Sequence, residues 1–231
     1  AGMSLGRLPL DRLELILHVW ADRYRIHRAD PRLKYVLPFE NRGVEMGVTL
    51  HHPHGQIYAY PFVPSVPRLL GEAQHEHWRL EREGLLRSLL LRERHEKVRL
   101  IYDGEFAGAV LPACARYPYE IWIAPWEIKP SLEDLRADET RDLARALKTV
   151  LLKYDGLWKK PMPYLLLLYA APIDGEPHPE WHFHIQIRPA LRTENRLKYL
   201  AGTELGAGVF VNDSLPEEKA RELQGVEVRV D

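Results

Sequence analysis

A hexapeptide that occurs twice constrains this chain more than any other feature. His52-Pro53-His54-Gly55-Gln56-Ile57 returns about 130 residues later as His182-Phe183-His184-Ile185-Gln186-Ile187. Each copy follows an apolar stretch and, before that, a helical pattern. The order predicts an α+β fold in which one helix–strand–strand module is used twice. The two sheets, mostly antiparallel, join side by side.

Alternation along a strand puts His52, His54 and Gln56 on one face of the first copy. Pro53 cannot donate to a ladder, so this is an edge strand or a strand end. Gly55 allows a close approach to the backbone. Three histidines in four residues also suit a satisfied structural cluster or a metal-affine tract. The repeat alone leaves these readings open. In the second copy Trp181, Phe183, Ile185 and Ile187 form the apolar face, and His182, His184 and Gln186 the polar one.

Elsewhere periodicity predicts a helix over 8–26, opened by Pro9, with Leu13, Ile16, Leu17, Trp20 and Tyr24 as its stripe. A strand follows at 35–39, with Asn41-Arg42-Gly43 as a turn. A charged helix over 72–97 comes next, then strands at 98–102, 106–111 and 119–124, with Asp103-Gly104 as a hairpin signal. Ser131 is the expected N-cap of a helix over 131–154. Strands at 164–170 and 181–187 and a helix from Pro216 complete the chain. The division expected is 1–97 for the first module and 98–231 for the second. Strands precede the helix of the second module and have no counterpart before the first, so the first is expected to lack its N-terminal part.

Lys and Arg number 32 against 33 Asp and Glu, a formal net charge of -1, so no global field recruits nucleic acid. Cys114 is the sole cysteine and cannot form an intrachain disulfide, which favours a cytoplasmic setting. No apolar run approaches the ~20 residues of a membrane span.

The longer stretch Phe39-Glu-Asn-Arg-Gly-Val-Glu-Met-Gly through His52-Pro-His-Gly-Gln-Ile57 resembles the active-site signature of the galactose-1-phosphate uridylyltransferases, the transferase branch of the histidine-triad superfamily. The resemblance extends over nearly the whole chain and corresponds to the C-terminal part of the family's length. It implies exchange of UMP between UDP-glucose and galactose 1-phosphate through a uridylyl-histidine. His54 would be the nucleophile and Gln56 would bond a phosphoryl oxygen, with His52 beside them. Asn41, Gly47 and Thr49 would lie near the phosphates, although Asn41 also suits a plain turn. Neutral imidazole is both nucleophile and leaving group, which such transfer requires. Most relatives that hydrolyse carry a third histidine where Gln56 stands; an amide cannot protonate a departing group, so Gln56 favours transfer.

The resemblance also implies that Lys198, Tyr199 and Glu204 contact the hexose, partly across a homodimer, while Lys198 and Glu204 also read as a solvated charge pair. The family's zinc uses upstream ligands and a histidine matched only by His52, with His51 as an extra histidine. A structural zinc is therefore not expected, and the chemistry needs no cofactor. A second family metal site matches His182 and His184, but Tyr169 and Leu70 stand where its other ligands would be. Three other readings remain. One is a different nucleotidyltransferase or nucleoside diphosphate-sugar phosphorylase, another a non-catalytic module, and the last a hydrolase.

Overall fold

A computed structural model describes residues 4–49 and 52–230. His51 lies outside the described residues. Seven strands form one sheet in the order β2-β1-β6-β7-β5-β4-β3. They are β1 (Tyr35–Arg42), β2 (Gly55–Tyr60), β3 (Leu100–Asp103), β4 (Ala107–Val110), β5 (Ile121–Pro125), β6 (Tyr164–Tyr169) and β7 (His184–Pro189). Every pairing in it is antiparallel.

The repeat is visible in the topology. Helix α1 (Leu10–Arg28) leads into β1 and β2, as helix α4 (Ala137–Leu157) leads into β6 and β7. The sheet runs continuously through the pairing of β1 with β6, from Phe39↔Leu167 to Arg42↔Tyr164. Both helices pack on one face, because Leu13, Leu17 and Trp20 of α1 and Leu143, Leu147 and Leu151 of α4 recur at helical spacing. They bury Val36, Leu166, Ile185 and Ile123 of the strands beneath. Each fully buried Leu or Ile there contributes about 1.5–3 kcal/mol.

Helices α2 (Ser65–Glu81) and α3 (Leu85–Glu96) cover the opposite face. The expected single helix over 72–97 is thus two. Arg82 takes a left-handed conformation at φ 58°, and Gly84 N-caps the second helix. Gly71 lets α2 approach the sheet: a Cβ there would lie 2.9 Å from the Trp181 ring. Ser131 does cap, but it caps a short 3₁₀ turn, accepting from the Glu133 N–H, and α4 begins six residues later.

Two further expectations are corrected. Asn41 and Arg42 belong to β1, and the chain turns only at Gly43, φ +94°. There a Cβ would come within 2.6 Å of the Pro163 side chain. The strand expected over 181–187 begins only at His184, and its polar face with His182 just ahead is as buried as the apolar one: His182, His184 and Gln186 are 0%, 2% and 3% exposed. Beyond the sheet lie a small hairpin, β8 (Leu191–Thr193) with β9 (Arg196–Leu197), and helix α5 (Pro216–Gln224).

Candidate active site

β2 is the edge of the sheet among the described residues, and Pro53 lies just ahead of it, where its missing N–H leaves no gap in the ladder. Pairing with β1 sets Gln56 opposite Phe39 and Gly55 opposite Glu40. A Cβ at Gly55 would meet Trp20 at an ordinary 3.6 Å, so the position is open without being forced by packing.

The His54 ring is fixed by its own backbone. Its Nδ1 lies 2.9 Å from the His52 carbonyl. A carbonyl only accepts, so Nδ1 carries the proton and the neutral ring offers its lone pair at Nε2. The exposed His52 ring stands 5.7 Å from the half-buried His54 ring, centroid to centroid.

Two cavities, of about 490 and 630 Å³, meet here and share Glu40, His52 and Pro53 in their walls. The first also takes in Asn41, Arg42, Val48 and Pro163; the second runs over Leu15, Val19 and Trp20 of α1 to His54 and Gly55. Asn41 is thus brought to the histidines. Gly47 (φ +78°) and Thr49 are exposed on the loop beside Val48, outside these walls.

Sequence reasoning gave Glu40 no role. Burial pushes its carboxyl up to about 7, against the opposing pull of the Tyr164 hydroxyl, which donates to Oε2 at 2.9 Å. A charged side chain on the core-facing side of an apolar strand, in line with Val36, was the available signal. Arg42 makes a two-pronged bond to Asp155 of α4, at 2.7 and 3.0 Å.

Lys198, Tyr199 and Glu204 line a separate cavity of about 280 Å³. Lys198 Nζ donates to Glu204 Oε1 at 2.9 Å and to the Val211 carbonyl at 2.6 Å. The Glu204 carboxylate also accepts from the N–H groups of Ala201 and Val211, and these bonds, led by Lys198, hold its pKa down to about 2. It is a buried loop clasp, not a solvated pair. Tyr199, 76% exposed, is the member that faces outward.

The second copy is closed. His184 Nδ1 donates to the His182 carbonyl at 3.0 Å, and Nε2 meets the Gln186 amide nitrogen at 3.1 Å. His182 Nε2 donates to the Pro125 carbonyl at 2.9 Å, and its backbone N–H to Gln74 of α2. Tyr169 packs its ring on His184, and Leu70 sits in an apolar cluster with Trp181. These residues do not fit a metal site: both His184 nitrogens are taken, and the other two positions carry no carboxylate or imidazole. At the first copy, His52 is exposed.

Fold and site define an α+β protein with an imidazole of fixed tautomer at the meeting of two cavities. Residues 2–64 match the N-terminal domain of galactose-1-phosphate uridyl transferase and residues 71–230 its C-terminal domain. The Thermotoga maritima galactose-1-phosphate uridylyltransferase is 36% identical over 98% of this chain and 71% of its own length. The Haemophilus influenzae enzyme is 30% identical over 96% of this chain and 63% of its own. A solved uridylyltransferase superposes with a TM-score of 0.90 at 34% identity, covering 96% of this chain and 69% of that one. The chain belongs to the galactose-1-phosphate uridylyltransferase family. An Arabidopsis thaliana ADP-glucose phosphorylase, 24% identical with a TM-score of 0.86 over 98% of this chain and 70% of its own, shares the fold.

Proposed function

We propose that this chain exchanges UMP between UDP-glucose and galactose 1-phosphate through a covalent adduct on His54. The supporting observation is the bond from His54 Nδ1–H to the His52 carbonyl, which leaves Nε2 as the nucleophile. In the first step Nε2 attacks the α-phosphorus and the bond to glucose 1-phosphate breaks. In the second, a phosphate oxygen of galactose 1-phosphate attacks the same phosphorus and the N–P bond breaks, giving UDP-galactose.

Gln56 donates to a phosphoryl oxygen, and Asn41 lies by the phosphates in the adjoining cavity. Gly47 and Thr49, beside Val48 of the cavity wall, lie near the phosphates. Tyr199 meets the hexose, and Lys198 with Glu204 shapes the loop that carries it. The working form is a homodimer in the cytoplasm, and the scheme uses imidazole chemistry with no redox cofactor. No described helix is long and apolar enough to cross a membrane.

The test is intact mass after brief exposure to UDP-glucose, with ADP- and GDP-glucose alongside and His54→Ala as control. Gain of one uridylyl unit, lost in the variant, is expected. An unlabelled folded protein would overturn the reading.

A further inference from the structure

Glu40 is 3% exposed yet lines both cavities that meet at His52 and Pro53. It pairs across the strands with Gly55, the residue after His54, and the His54 imidazole is among the charges that its carboxyl feels. Tyr164, fully buried on β6, donates its hydroxyl to Glu40 Oε2 and fixes the side chain. The other charged groups around it are Arg42 on its own strand, engaged by Asp155 of α4, and His52, Arg7 and Glu45 on the cavity wall. No salt bridge to Glu40 forms among the described residues. A buried carboxyl without a paired cation is costly. Holding β1 and β6 together does not require one.

We propose that Glu40 is a positioning residue for His54, supplying the counter-charge as the imidazole becomes cationic on taking up a uridylyl group. This rests on the transferase reading above. When the Nε2–P bond forms and the bond to glucose 1-phosphate breaks, the electron pair leaves with the sugar phosphate. Nδ1 keeps its proton, so the ring carries a positive charge. The His52 carbonyl answers that charge with a dipole, and Glu40, from the wall of the cavity that His54 also lines, with a full negative charge. Burial holds the Glu40 proton up to about 7, and that proton passes to water as the adduct forms. When the acceptor removes the uridylyl group, the ring returns to neutral and the carboxyl takes a proton back.

Two measurements on the full chain test this separately. In the unliganded protein, nuclear magnetic resonance of the His54 ring should report a step near pH 7 that originates in Glu40. The step vanishes in Glu40→Gln. In Tyr164→Phe it moves to higher pH, because the carboxylate loses its donor. In single-turnover labelling, Glu40→Gln should slow uridylylation about tenfold, the weight of one pKa unit, with KM for UDP-glucose little changed. Glu40→Asp recovers part of the rate. His54 ring signals that titrate alike in wild type and Glu40→Gln would overturn the proposal, as would an unchanged labelling rate and pH profile. A wild type that shows the resonance step but takes no label would remove the transferase reading, and this role with it, leaving only the charge contact.

Discussion

His54 and His184 hold their rings by the same bond: each Nδ1 lies on the carbonyl of the histidine two residues before it, at 2.9 and 3.0 Å. The repeated His-X-His sequence therefore sets the tautomer in both halves of the sheet. What differs is the fate of Nε2. Around His184 it meets Gln186, whose own carbonyl accepts from Arg188 at 2.5 Å. His54 instead lines a cavity. One motif gives an open imidazole at the sheet's edge and a closed one at its centre.

The closed copy should make the protein acid-sensitive. Burial holds both His182 and His184 down to about 4, whereas the unfolded rings protonate near 6.5. The folded state binds fewer protons between those values, so stability rises with pH across the window. Their contribution is complete above about pH 6.5 and is lost as pH falls towards 4. The rings affect one another, so the loss is a few kcal/mol, not a sum of two shifts. Denaturant melts at about pH 7.5 and about pH 5 should show a steep fall in wild type and a shallower one in His184→Gln. Equal slopes would refute the assignment.

Gln56→His should convert transfer towards hydrolysis. An imidazole beside the adduct can shuttle a proton for an attacking water, and general acid–base help of this kind is worth about 10²-fold or more. With UDP-glucose and no acceptor, the uridylyl-protein should decay faster by that order, releasing UMP. An adduct that survives as long as in wild type would show that Gln56 is not at the phosphoryl group.

Glu204→Gln separates a loop clasp from a sugar contact. The amide lacks the second carboxylate oxygen and the charge that Lys198 answers. Hydrogen exchange at Ala201 and Val211 should quicken by ~10-fold or more, even without substrate. Unchanged exchange with weakened hexose binding would instead make Glu204 a substrate ligand.

The α+β class and the antiparallel sheet were legible from the order of helical and alternating stretches. The edge position of the first histidine tract was legible from Pro53. Other features depended on partners far along the chain. The buried polar face at β7 meets Pro125 and Gln74, which alternation along one strand cannot foresee, while Arg188 follows Gln186 on the same strand and His182 Nδ1 has no partner among the described residues. The helix break leaves Arg82, a non-glycine residue, in the left-handed region, and the signal for it was Gly84, two residues on, where the next helix is capped. Glu40 was hidden for the same reason as β7: its meaning lies in Tyr164, on another strand.

The seam between β1 and β6 bears on how the protein is born. Its partners lie more than a hundred residues apart, so a ribosome must release all of α4 before β1 can find its second neighbour. Until then the first hairpin has a solvent-exposed ladder on the side that will later be interior. Long-range pairing of this kind is slow, and waiting strand edges are sticky. The segment that carries His54 is thus translated well before β6 and completes its sheet only after β6 arrives.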